Sequence, residues 1–251
     1  MIQLTIIRIE GYGQWTLTLG SDREAQLQML QAKIYHDVQR LFSERDSIVF
    51  FNRFDEYFAI TNGLDADDHR HIQHELTKLY DNMLMSMTIG VGKTAFEANL
   101  HAYCIRKEGR MLDSSARIFG SLQQHPADVA QIMHIDIDSS TKVGNRLSPY
   151  ELTALVMKIY SALAEEFLKH NSLAFFLGGD NVMVISNGMT KEQTDAVLKR
   201  VTAGNNIKLN CGIGIGKTGR RAAEAATKAL DTIRDLREEG KIQTIYEIQC
   251  P

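Results

Sequence analysis

Two stretches of this chain copy one another. Residues 47–64 read SIVFFNRFDEYFAITNGL and residues 172–189 read SLAFFLGGDNVMVISNGM; they align without a gap at an offset of 125, with 7 of 18 positions identical. A second pair, MTIGVGKT at 87–94 and CGIGIGKT at 211–218, repeats at an offset of 124 with 5 of 8 identical. A third and shorter pair sets Ile9-Glu10 against Ile135-Asp136 at an offset of 126. Three segments in one order at nearly constant offset imply two copies of a single unit, each a comfortable size for one compact domain.

Periodicity supplies the elements of each copy. Residues 2–9 alternate as a strand, and Leu27, Leu30, Ile34, Val38 and Leu41 recur at helical spacing within 22–43. SIVFF and YFAIT flank a turn as a hairpin. Residues 66–82 read as a polar helix, LMSMTIGVG as a strand and 95–109 as a helix, with mixed charge running through Glu97–Arg117. The second copy repeats the order: QIMHIDI strand, 149–170 helix, SLAFFL and VMVIS hairpin, 190–203 helix, KLNCGIGIG strand, 219–239 helix, and a last strand near 242–248. The expectation is an α+β fold of two tandem ferredoxin-like, palm-type βαββαβ domains related by internal duplication. The first covers 1–112, a linker with His125-Pro126 covers 113–129, and the second covers 130–251.

Composition removes several function classes. Lys plus Arg is 28 against 31 Asp plus Glu, a formal charge of −3, so a surface for long nucleic acid is not expected. Three unpaired cysteines, Cys104, Cys211 and Cys250, give neither a disulfide framework nor a zinc cluster. No window approaches the ~18 consecutive apolar residues that a membrane span needs. A soluble cytoplasmic protein is expected.

In this topology the carboxyl end of the first strand lies beside the hairpin between the second and third. Each copy puts carboxylates at both places: Asp136, Asp138 and Asp180 in the second, Glu10 and Asp55 in the first. Carboxylates gathered at one edge repel until a cation neutralises them, and hard oxygen donors with room for water and phosphate suit Mg²⁺. Asp136, Asp138 and Asp180 are thus the expected metal ligands, with Glu10 and Asp55 a second set. Asp136, Asp180 and Asp55 are the expected catalytic carboxylates.

The GIGIGKT and GVGKT segments do not make a P-loop, because Cys211 and Met87 stand where its first glycine is required. Their glycines suit close backbone approach instead. Lys217 and Arg220, opening the following helix, are candidates for phosphate contact. His69, His71 and His74 read as solvated on a polar helix, and His134 sits beside the HIDID carboxylates.

The second copy's HIDID, GGDN and GIGIGKT, followed by AAEAATKALDTIR, resembles the GGDEF-type nucleotide-cyclase palm, with Asn181 where a second carboxylate would stand. IEGYGQWTLT, NRFDEYFAITNG, HIDID, FFLGGDNVMVISNGM and GIGIGKT together resemble the GTP cyclohydrolase III family across both copies. That resemblance implies Mg²⁺-dependent opening of the GTP imidazole ring at C8 with the formyl group retained, loss of the two outer phosphates, and a K⁺-type monovalent cation. It also leads to the expectation of Asp where this chain has Glu10. Expected substrate contacts are Asn181 or Asn145 for hydrogen bonding, and Arg53, Lys217 or Arg220 for phosphate. Zinc is not expected, and a homo-oligomer is. The alternatives are a GGDEF-like nucleotide or diguanylate cyclase, and a non-catalytic GTP-binding palm tandem.

Overall fold

A computed structural model describes residues 1–120, 122, 128–137, 147–204 and 207–250. His125, Pro126, Asp138 and Asn145 lie outside the described residues. The fold is mixed α+β with two sheets and two compact units: Met1–Gly92 with Glu97–Asp128, and Lys93–Phe96 with Val129–Pro251.

The first sheet holds β1 (Ile2–Ile9), β2 (Ile48–Arg53), β3 (Glu56–Ile60), β4 (Met85–Gly92), β5 (Met111–Asp113) and β6 (Ile118–Gly120), in the order β2-β3-β1-β4-β6-β5. Its helices are α1 (Tyr12–Leu17), α2 (Glu24–Ser43), α3 (Ala66–Leu79) and α4 (Ala95–Glu108). The second sheet holds β7 (Ala130–Ile137), β8 (Leu173–Gly178), β9 (Asn181–Ile185), β10 (Leu209–Gly216) and β11 (Ile245–Gln249), in the order β11-β10-β7-β9-β8. Its helices are α5 (Pro149–Leu168), α6 (Lys191–Thr202) and α7 (Gly219–Glu238).

Strand alternation divides each sheet into two working faces. In the second unit Met133, Ile135 and Ile137 pack against Val156, Ile159, Leu163 and Phe167 of α5 and Val197 and Leu198 of α6. Each such buried side chain contributes about 1.5–3 kcal/mol. The opposite face, with His134 and Asp136, turns towards α7. There the glycines of GIGIG let the helix touch the strand backbone: a Cβ on Gly212 would lie 2.1 Å from Ala226 O, and one on Gly214 2.1 Å from Ala222 O. The first unit is built alike, with Ile7 and Ile9 facing α2 and α3, and Gly90 close against Ala98 and Ala102 of α4.

The structure corrects several expectations. Residues 118–120 fall in the stretch expected as linker, yet β6 pairs in parallel with β4 and belongs to the first sheet. The mixed-charge helix stops at Glu108, because Gly109 takes φ +67° and the chain turns into β5. His69 is fully buried rather than solvated: its Nε2 is 2.9 Å from Thr5 Oγ1 and its Nδ1 2.6 Å from Asp65 O. Its spacing to Ile72, Gln73 and Leu76, all buried on α3, is the signal for that inward face.

The third repeat pair is also displaced. Phe58 and Met183 match at the offset of 125, and their partners on the first strands are Ile6 and His134. Thr88 and Gly212 match at 124, and their partners are again Ile6 and His134. The first strands therefore correspond at 128, not 126. Arg8 holds the place of Asp136, and Glu10 counts to position 138.

Candidate functional site

Asp136 sits on the α7 face near the end of β7, in register with Asn210 of β10. Asn181 opens β9, one residue before Val182, which pairs with Ile135. Asp136 is 6% exposed. Its Oδ1 accepts from Asn210 Nδ2 at 2.9 Å and its Oδ2 from Arg234 Nη2 at 2.7 Å. The hydrogen bond to that carboxylate pushes the Arg234 guanidinium still higher. Arg237 Nη2 donates to Asn210 Oδ1 at 3.1 Å, which fixes the amide that faces Asp136.

A line of hydrogen bonds runs from α7 to the hairpin. His134 Nδ1 lies 3.1 Å from Thr227 Oγ1, and His134 Nε2 lies 3.0 Å from Asn181 Oδ1. Asn181 Nδ2 donates to Asp180 Oδ1 at 3.1 Å. With Asn181 Oδ1 as acceptor, the imidazole carries its proton on Nε2 and accepts the Thr227 hydroxyl at Nδ1. Burial lowers the His134 pKa, and the bond to Asn181 and the charge of Asp136 offset part of that. The ring is neutral at pH 7. Asp180 itself is half-buried in the turn between β8 and β9, where Gly178 and Gly179 supply φ values of +109° and +60°.

The remaining candidates separate. Lys217 follows β10 at Gly216, which pairs with Ala130, six residues of strand from the Asn210–Asp136 pair. At about 3.3 Å per residue that is roughly 20 Å. Arg220 opens α7 at that same far end, so neither joins Asp136 and Asp180 within this unit. Arg234 and Arg237, which local spacing did not single out, occupy the near end. Arg234 follows Thr227 by seven residues and so shares its helical face.

In the first unit the corresponding row is inverted in charge. Arg8 pairs in register with Glu56 and with Ser86. Glu56 is buried and accepts from Arg8 Nε at 2.9 Å, from Arg8 Nη2, and from Asn52 Nδ2 at 2.9 Å. Asp55 lies 3.3 Å from Arg53 Nε, and Glu10 is engaged by Arg106 Nη2 and the Ser86 hydroxyl, both at 2.5 Å. Glu10 and Asp55 are thus each neutralised by an arginine, and Arg8 stands between β3 and β4 where the second unit has a carboxylate. Among the described residues no group of three or more His, Cys, Asp and Glu side chains converges as a metal site. No helix among them is long and apolar enough to cross a membrane. Cys211 is fully buried, and burial pushes its thiol well above the usual range, which removes it as a nucleophile.

The sequence model described as GTP cyclohydrolase III matches residues 1–247. A protein named GTP cyclohydrolase III from Methanocaldococcus jannaschii is 38% identical over 251 residues, covering 98% of this chain and 93% of that one. Its namesake from Methanosphaera stadtmanae is 38% identical over 239 residues, covering 93% of each. The GGDEF domain of a Pseudomonas aeruginosa protein superposes at a TM-score of 0.40 with 14% identity, over 49% of this chain and 84% of that one. Matched along nearly its whole length, this chain belongs to the GTP cyclohydrolase III family.

Proposed function

We propose that this family member opens the imidazole ring of GTP by adding water at C8 and breaking the C8–N9 bond. The formyl group stays on N7, and water cleaves the two outer phosphates as inorganic phosphate. The product is 2-amino-5-formylamino-6-(5-phospho-D-ribosylamino)pyrimidin-4(3H)-one. The observation that carries the reading is the buried Asp136 beside the Asp180 hairpin, at one end of the strands of the second sheet in a chain of this family.

Asp136 and Asp180 are hard oxygen donors at neighbouring strand ends, the donor set with which Mg²⁺ takes one or two carboxylates and completes its shell with water and phosphate. Asp138, outside the described residues, is the third proposed ligand, and a K⁺-type ion the proposed monovalent partner. A bound Mg²⁺ supplies a coordinated water of lowered pKa and neutralises phosphate charge. Arg234 pairs with Asp136 and adds positive charge beside the phosphates, with Arg237 behind it. His134 and Asn181 orient Asp180 through the Thr227 bond. Asn145 remains a proposed substrate contact. We also read the two units as internal copies of one ferredoxin-like domain, supported by the common order β2-β3-β1-β4 and β8-β9-β7-β10.

The test is mass spectrometry and ultraviolet absorbance of GTP incubated with the protein, Mg²⁺ and K⁺. A ring-opened monophosphate retaining the formyl carbon, with phosphate released, is the expected result. A cyclic nucleotide would reassign the chain to the cyclases, and bound but unchanged GTP would make it a binding module.

A further inference from the structure

The first unit carries a cleft of about 510 Å³ between its sheet and α4. The matching space in the second unit is spanned by His134, bridged to Asn181 and Thr227. Ile6 stands in place of His134 and makes no such bridge, while Tyr103 stands in place of Thr227 and is 60% exposed. Two charges here have changed sign as well, while Glu56, paired with Arg8, remains as a carboxylate in the lining. Arg8 replaces Asp136, and Lys107, at the offset of 124, replaces Asp231.

Two donors in the cleft are unused. Arg106 Nη1 is buried without a hydrogen-bond partner, although Arg106 Nη2 holds Glu10 and the guanidinium lies 4.0 Å over the Phe119 ring. Lys107 is exposed and makes no ion pair among the described residues. Beside these cations the cleft offers apolar surface, from Tyr103 one turn earlier on the same helix and from Ile6 and Phe58 of the sheet. A wall that accepts a flat ring beside donors that accept a dianion suits an aromatic phosphomonoester, and the volume lies within the range of small-molecule sites.

We propose that this cleft of the first unit is a second ligand site, one that takes a nucleoside monophosphate. The site requires no metal, since Arg8 stands in place of Asp136, Arg106 and Lys107 supply positive charge, and the carboxylates that remain, Glu10, Asp55 and Glu56, are each held by an arginine.

The experiment is calorimetric titration of the whole protein with GMP, in the presence of Mg²⁺ and a saturating non-hydrolysable GTP analogue. One GMP should bind per chain, Lys107→Glu should weaken it at least tenfold, and Arg106→Lys should weaken it while leaving the melting curve close to wild type. Asp136→Asn should leave GMP affinity unchanged. That variant also separates this proposal from the assignment of the catalytic site, because the cleft can fill whether or not the second unit turns over GTP. Failure of GMP to bind below about 1 mM, equal binding to Lys107→Glu, or loss of binding in Asp136→Asn would overturn the site. Inorganic phosphate binding as tightly as GMP would overturn the role of the apolar wall.

Discussion

Replacing Gly214 by Ala tests whether α7 is seated by direct contact with the β10 backbone. The added Cβ would lie 2.1 Å from Ala222 O and 2.2 Å from Ala226 N. Ordinary contact begins at 3.4 Å, so the shortfall is 3.4 − 2.1 = 1.3 Å. Both obstructing atoms are backbone atoms in the middle of a helix and cannot rotate away, so α7 must lift by about that distance. A gap of 0.5–1 Å already forfeits a quarter to a half of each contact. Overpacking ordinarily costs about 1–3 kcal/mol, and the rigidity of both partners sets this case near the top, about 3 kcal/mol. For a unit of this size that corresponds to a melting transition lower by roughly 10 °C. Gly13→Ala is the matched control: nothing lies within 4 Å of its Cβ, and it sits inside α1 with no left-handed φ. It should be neutral or stabilise by about 0.5–1 kcal/mol. Urea and thermal unfolding followed by circular dichroism give both values. A loss below about 1 kcal/mol for Gly214→Ala would refute the seam.

Other consequences are equally direct. Asp180→Ala should abolish GTP turnover with little change in unfolding, since the residue is half-buried in a turn; full turnover by a folded variant would remove Asp180 from the site. Arg234→Ala leaves the buried Asp136 with Asn210 alone and should cost about 1–3 kcal/mol, below a fully buried pair because Arg234 is half exposed. Added Mg²⁺ should recover part of that loss by occupying the carboxylate. Melting curves of the variant that ignore Mg²⁺ would speak against Asp136 as its ligand. Burial holds the His69 pKa below its ordinary value of about 6.5, so the unfolded chain binds the proton more readily. Its contribution is therefore complete above about pH 6.5 and declines as pH falls towards the folded pKa. The stability difference between wild type and His69→Gln should shrink between about pH 7.5 and about pH 5.5; a constant difference would contradict it.

The repeat, the hairpins and the strand faces are visible in the sequence because period-two and helical patterns are local. The alignment of β1 with β7 was not, and the reason is physical. IRIE and IDID both alternate an apolar residue with a charged one, so a slip of two residues keeps every side chain on its own face. Only pairing with β3 and β4 fixes the register, and it turns an apparent carboxylate match into Arg8 against Asp136. Arg234 was hidden differently: it lies 98 residues from Asp136 in sequence, and the packing of α7 brings it to the carboxylate. Lys217 and Arg220 looked well placed because they follow a glycine-rich strand, but antiparallel pairing carries that end of β10 away from Asp136.

The inverted row also bears on re-engineering the chain. Arg8 is the main counter-charge of Glu56, which is only 7% exposed. Arg8→Asp, which would give the first unit an acid at the register position that Asp136 holds in the second, would set a new carboxylate against Glu56, with Arg53 and Asn52 left to balance the charge. The first unit would then fold best with a dissolved divalent cation in attendance. A single substitution would thus take from the first unit a counter-charge that it now carries on its own strand.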